Sequence, residues 1–510
     1  MKKLHLYTAL HDHFAFREHL SMGRSAWQRR LTLGLGLIMG GCSVGPNYTR
    51  PALPLPASYT AAQVTAESHL KSDRAQHFVQ QDIPAQWWEI FHSPQLNELV
   101  RLSLKNNPTV DIAQTNLQQA IENVKAQQAA YFPTVNASFT PTRQRVASPL
   151  ASPLASNSYI YNLHTAEINA SYTLDLWGAN RRQVEALKAE ADASRYNVEV
   201  TYLTLTSNVV NAAILEALLH EQIEITRQAI ERQHALTEIT RRARGLGQLS
   251  DADVATQDAA QAAAEAALPP LQKQLAIQRD LIKALAGEYP STSLDVDFTL
   301  DNLHLPHELP LTLPSTLVER RPDIRAAEAL LHAASANVGV ATANRLPTIT
   351  LGVNAYGSSA EKLSDLLKSG SNFWTLAGGI TQPLFDGGAL KHKEAAAKMA
   401  LEGANAQYRS TVIAAFQNVA DVLQSIDADQ IAFLTAERAA QASAKSLALA
   451  RTQYQLGDIS KATLLPIEQS DLQAKLSLAQ AQATRLQDSA ALFQALGSDW
   501  WDSAKTNHKE

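Results

Sequence analysis

Residues 106–138, NNPTVDIAQTNLQQAIENVKAQQAAYFPTVNAS, line up with residues 320–352, RRPDIRAAEALLHAASANVGVATANRLPTITLG. Pro108 falls on Pro322, Asn123 on Asn337 and Pro133 on Pro347. Farther along, LWGANRR from Leu176 aligns with FDGGALK from Phe385, then Gly247 with Gly457 and Gly287 with Gly497. The spacing stays near ~210 residues throughout, with small drifts between the Pro and Gly landmarks, where loops belong. The chain is therefore two copies of one unit, over about residues 95–287 and 310–497. Any fold proposed for it must be one that a tandem copy completes.

Each copy has the same order of signals. A helical stretch ends at Pro133 or Pro347, two alternating segments follow, and a long Ala-rich helical pattern runs to a Gly turn and a second helix. The alternating segments predict strands at ~134–147, ~164–176, ~348–358 and ~373–385. Ile168, Ala170, Tyr172, Leu174 and Leu176 fall on one face, with Asn169, Ser171, Thr173 and Asp175 on the other. Ile349, Leu351 and Val353 alternate with Thr348, Thr350 and Asn354, and Trp374, Leu376, Gly378 and Ile380 continue the pattern. Ten such residues, tilted about 45°, span roughly 23 Å, the height of an outer-membrane hydrocarbon layer. Alternation alone fits an ordinary half-buried sheet equally well.

The helical patterns are less ordinary. Helices are expected at ~178–244 and ~250–287 in the first copy and at ~388–455 and ~461–497 in the second. The first of each pair has no proline, so each extends about 100 Å at 1.5 Å per residue. Runs such as DAAQAAAEAA from Asp258 permit close helix approach. If the four strands lie in lipid, their open edges leave backbone groups unsatisfied, so they must be completed by other copies of the chain. Three copies would supply a twelve-stranded barrel, but edge closure alone does not fix that number.

The amino terminus places the chain in the cell. Basic residues, ending at Arg29-Arg30, precede the short apolar stretch Leu31–Gly41, which is too short to span a bilayer. Residues 1–41 are predicted to be a secretory signal, with Met22 the more ordinary start. Lys2, Lys3, Arg17, Arg24, Arg29 and Arg30 oppose only Asp12 and Glu18 there, so removal takes the formal charge from −5 to about −9. Such an acidic chain does not suit nucleic acid. Cys42, the one cysteine of 510 residues, follows Gly40-Gly41. That setting resembles a bacterial lipoprotein cleavage box, which implies acylation of Cys42, and Ser43 after it favours delivery to the outer membrane. The expected layout is then an anchored segment over 42–94, the first copy over 95–287, a linker at 288–311, the second copy over 312–497 and a tail at 498–510.

CSVGPNYTRP, WWEIFHSPQLNELV, ERRPDIRAAEALLHAASANVGVA, QPLFDGG and the closing ALGSDWW together resemble the TolC-like outer-membrane efflux factors. The likeness is to their lipoprotein branch, which partners resistance-nodulation-division pumps, and it covers nearly the whole mature chain. It implies a mainly α fold with a small transmembrane β part. Four strands per chain would join a trimeric twelve-stranded barrel, continued by a periplasmic α-helical barrel with an equatorial belt. It also implies a duct fed by an inner-membrane pump through a periplasmic adaptor, with no cofactor.

The resemblance places the Gly turns at the periplasmic tips. Gly247, Leu249, Ser250, Gly457, Ile459 and Ser460 are then the expected adaptor contacts. In that family acidic residues near the tips constrict the closed pore. Asp251 and Asp253 are the first-copy candidates. In the second copy Pro466 or Ile467 occupies the usual acidic position, which leaves Asp458 and Glu468 as the nearest acids. Ser250-x-x-Asp253 equally fits a helix capping box. Gly178, Gly387 and Gly388 are read as strand-to-helix turns, and Trp87 and Trp88 as packing residues of the belt. No His-Glu-x-x-His, nucleophile elbow or phosphate loop is present, which argues against an enzyme or a metal site. A protein-secretion duct and a structural envelope-spanning lipoprotein remain as alternatives.

Overall fold

The computed structural model describes residues 43–497, apart from 53, 55, 61–75, 82, 148–158, 312 and 313. The signal segment, Cys42 and the 498–510 tail lie outside the described residues.

The strands are β1 (His77–Val79), β2 (Thr134–Arg145), β3 (Ile160–Leu174), β4 (Glu308–Pro310), β5 (Thr348–Ala360) and β6 (Asn372–Thr381). The helices are α1 (Pro94–Asn106), α2 (Pro108–Gln128), α3 (Ala179–Gly245), α4 (Asp251–Ala266) and α5 (Leu268–Leu285). They continue with α6 (Pro314–Arg320), α7 (Pro322–Ala343), α8 (Ala389–Leu456) and α9 (Lys461–Leu496). α3 and α8 run unbroken for 67 and 68 residues. Where one helix is expected over ~250–287 there are two: the ladder breaks at Ala267 because Pro269-Pro270 lack the amide hydrogens to continue it, and α5 starts afresh with proline in its first turn.

The hairpins β2–β3 and β5–β6 join through β3 and β5 into one antiparallel sheet, in the order β2-β3-β5-β6. β2 and β6 lie at its edges, and the outer side of each has no strand partner among the described residues. Register puts Val135, Ala170, Val353 and Leu376 in one row and Asn136, Asn169, Asn354 and Thr375 in the next. One face is thus apolar and the other polar. On the apolar face Val135, Trp374, Leu376 and Ile380 are each more than two-thirds exposed in the single chain, an arrangement that suits lipid outside and water inside. β3 and β6 end earlier than expected, at Leu174 and Thr381. Asp175 turns to cap α3, and Gln382-Pro383 stop the ladder of β6.

Gly178 and Gly388 each precede a long helix with φ of 79° and 87°, a left-handed conformation that glycine adopts without steric cost. Asp175 accepts from the Asn180 and Arg181 amides, and Asp386 accepts from those of Gly388 and Leu390. Each carboxylate thereby satisfies otherwise orphaned helix donors and faces the positive end of the dipole.

At mid-height the chain segments outside the repeats meet. β1 pairs in parallel with β4, so the N-terminal segment and the linker form one short ribbon. Trp87, 1% exposed, stacks on Phe493 with centroids 5.5 Å apart, and Phe91, Leu96, Phe298, Leu309 and Ile324 complete that core. The most apolar part of α3 is mostly buried against its own chain, so it serves as a core helix.

Candidate functional site

The end of the molecule opposite the sheet is built from two Gly turns. At the first, α3 closes at Gly245 and Gly247 takes φ of 79°. Ser250 then caps α4: its Oγ accepts from the Asp253 amide at 3.2 Å, and the Asp253 carboxylate accepts from the Ser250 amide at 2.8 Å. The Ser250 backbone N–H holds the Asp253 carboxyl below its usual value. Asp253 therefore sits in the reciprocal cap that Ser250-x-x-Asp253 encodes. Asp251 accepts from the Arg244 guanidinium at 2.7 Å across the turn. Leu246 and Leu249 are exposed, the former 76%.

At the second turn, Gly457 has φ of 81° and Ser460 caps α9 by accepting from the Thr463 amide at 3.1 Å. Asp458 is exposed and gives its amide to Gln453 O at 2.8 Å. Ile459 is half-buried against a small apolar cluster of Leu447, Ala450 and Leu464, while Leu456 and Tyr454 are exposed. The two turns are thus alike in backbone and unlike in side chains.

What joins them lies about two helical turns inward. Glu468 on α9 is buried among three cations: Arg232 of α3 at 3.3 Å, Arg451 of α8 at 3.3 Å and Lys461 at 3.6 Å. This carboxylate ties the first-copy hairpin to the second. It was visible in the sequence only as an acid near the tip, because Arg232, the partner that joins the two copies, lies far away in the chain. Higher up, burial, then the hydrogen bond and charge of Asp429, push the Asp488 carboxyl up to about 7. This pair lies beside Gln430 and Ser489, which Gln76 clasps from the N-terminal segment. Residue order gave no signal for that pairing.

The described chain begins at the opposite end of the coil, beside the sheet. The Val44 amide donates to Trp177 O at 3.1 Å, and Arg182 donates to Val44 O and Asn47 Oδ1. A Cβ on Gly178 would come within 2.8 Å of Ser43 Oγ, and one on Gly45 within 2.4 Å of Gly339 Cα. The segment therefore lies in a slot that only bare backbone fits. Tyr48 stacks on His332 at 4.4 Å below it.

A duplicated chain with an amphipathic four-stranded sheet and a coil ~100 Å long is matched by the outer membrane efflux protein family, once over residues 99–288 and again over 313–498. The chain belongs to the outer membrane efflux protein family.

It is 30% identical to the pyoverdine export outer membrane protein OpmQ of Pseudomonas putida, over 84% of this chain and 91% of that one. It is 29% identical to the toluene efflux pump outer membrane protein TtgC of Pseudomonas putida, over 91% and 94%. Among solved structures, the outer-membrane channel OprN superposes with a TM-score of 0.78 at 26% identity, covering 90% of this chain and all of that one. The Neisseria gonorrhoeae MtrE channel gives 0.76 at 26% identity, over 90% and 99%. The fold is that of these channels: mainly helical, with four strands per chain contributing to a trimeric twelve-stranded barrel continued by a helical barrel. The protein is an outer-membrane efflux channel and not an enzyme.

Proposed function

We propose that this efflux protein is the exit duct of a tripartite system: an inner-membrane pump of the resistance-nodulation-division class passes small molecules through a periplasmic adaptor into it. The observation that supports this most is the pairing, in each repeat, of a lipid-suited hairpin with a coil long enough to cross much of the periplasm. Relatives are named for toluene, antibiotics, pyoverdine and cations. Such unlike cargoes share one duct shape, so selection belongs mainly to the pump.

The adaptor meets the tips at Gly247, Leu249, Ser250, Gly457, Ile459 and Ser460, where exposed Leu246 and Leu456 offer apolar anchors. Asp251, Asp253 and Asp458 face the closed end as its acidic constriction. Asp253 is held by its cap, whereas Asp251 carries only an exposed ion pair to Arg244, so Asp251 and Asp458 are the pair that can act on permeating ions. Asp251→Ala with Asp458→Ala is expected to raise closed-state conductance severalfold in planar bilayers while the oligomer stays intact. Conductance equal to the parent would remove the acidic constriction, and a purified oligomer that never conducts would remove the duct.

Cys42 carries the lipid anchor. Ser43 is seated where β3 passes into α3, so acyl chains on its neighbour would enter the bilayer at the rim of the barrel. The barrel is itself membrane-embedded, which makes the lipid auxiliary. Cys42→Ser behind a non-lipoprotein signal is expected to retain trimers and at least partial efflux-dependent resistance. Complete loss of resistance with normal trimer levels would contradict this.

A further inference from the structure

The outward face of β2 changes character along its length. Its register with β3 is unbroken from Thr134 to Arg145, so Val135, Ala137, Phe139, Pro141, Arg143 and Arg145 share one face. Gln144 points the other way, where its amide bonds the hydroxyl of Tyr161, a residue 5% exposed. Strand alternation therefore turns the two arginines onto the face opposite that bond. Phe139 stacks on His164 of β3 with centroids 6.1 Å apart, closing the apolar band with an aromatic pair. Arg143 follows about 13 Å farther along the strand, at the end of the sheet away from the helices.

Both guanidinium groups are exposed, and neither has an ion pair among the described residues. From Thr140 to Ala166 the sequence contains no Asp or Glu to neutralise them. On the other hairpin, Asp365 is already engaged by Lys368 at 2.7 Å, which leaves Glu361 as the one nearby acid of that loop. Two unpaired cations beyond that aromatic pair, at the end of the sheet away from the helices, suit the depth where a bilayer turns from hydrocarbon to headgroup.

We propose that Arg143 and Arg145 clamp a phosphate of the phosphorylated glycolipid that forms the outer leaflet of an outer membrane. Guanidinium groups fit phosphate oxygens in a planar, bidentate way, and an adjoining apolar strand face would hold the acyl chains. Because β2 is an edge strand, barrel closure places it against β6 of the next protomer. Each clamp would then lie at a joint between protomers, and the bound lipid would fasten that joint. The inference rests on the membrane-embedded reading of the sheet.

The test uses the full-length oligomer in a phosphate-free, uncharged detergent, and reads the temperature at which trimers dissociate on a semi-native gel. Hexa-acylated lipid A carrying both phosphates is expected to raise that temperature by several degrees in the parent. Dephosphorylated lipid A, phosphatidylglycerol and inorganic phosphate should each do much less. The Arg143→Gln, Arg145→Gln variant should lose most of the shift, and Arg143→Lys, Arg145→Lys should recover part of it. Equal shifts in parent and Gln variant would overturn the clamp. Equal shifts with dephosphorylated lipid A or phosphatidylglycerol would reduce it to acyl or bulk-charge binding, and an equal shift with inorganic phosphate to a free-anion site. A parent trimer that does not enter proteoliposomes would instead overturn the membrane reading beneath it.

Discussion

Arg321→Met is expected to prevent accumulation of folded oligomer. Arg321 is the cap residue just before α7, and its side chain is 11% exposed. It donates to Ala495 O at 2.8 Å and to Ala415 O at 3.3 Å, and it pairs with Asp323 at 2.9 Å. Ala495 lies in the last turn of α9, whose carbonyls have no helical partner, so one side chain caps α9, holds α8 and starts α7. Methionine keeps the packing volume and removes every donor. Leaving the buried Ala415 and Ala495 carbonyls without this donor costs about 1–3 kcal/mol each, a large fraction of the ~5–15 kcal/mol that a domain typically has. Heat-resistant trimers and helical circular dichroism should both fall sharply. Arg321→Lys should recover part, since an ammonium reaches one carbonyl but not the forked set. A parent-like melting temperature in Arg321→Met would refute this account.

The second large effect is expected in conduction. In Glu468→Gln the buried site keeps Arg232, Arg451 and Lys461 but loses the charge that holds them together. The three cations keep a third to a half of their side chains in water, so losing the charge costs about 1.5–3 kcal/mol rather than the cost of a fully buried pair. That moves a closed-to-open ratio by roughly 10- to 100-fold if the two hairpins part on opening. Single-channel recordings should show long open dwells where the parent is mostly shut, with unchanged trimer stability at the sheet end. A variant with parent-like dwell times would show that the hairpins do not separate at Glu468. Because Glu468 touches both repeats and Asp251 touches only Arg244 of its own turn, the Glu468 variant should exceed the Asp251, Asp458 variant in effect.

Much of this was legible in residue order because it is local or periodic. Alternation over Ile168–Leu174 and Leu351–Val353 marked the strands, and the absence of proline from 179 to 245 and from 389 to 456 marked the long helices. The duplication then supplied each copy with a check from the other. Pro269-Pro270 shows a signal that was present but outweighed: the Ala-rich pattern continues on both sides, yet two missing amides end the helix. The Glu468 site and the Asp429–Asp488 pair are different in kind. Arg232 meets Glu468 from the other repeat, and Asp429 meets Asp488 from a separate helix, so no spacing along the chain encodes either meeting. Gly339 lies between these cases. A glycine within a helix signals close approach, but only the folded chain identifies the Arg182 side chain as what fills the space a Cβ there would need.

The unlike chemistry of the two Gly turns has a consequence for stoichiometry. A trimer presents six turns around its rim, but they alternate between an Arg244–Asp251 type and a Lys461–Tyr454 type. A ring of identical partner subunits can occupy all six only by tolerating two different seats. One that demands a single seat fills three positions and leaves the other three vacant. The number of partner chains bound per duct therefore reports how far the duplicated halves have diverged.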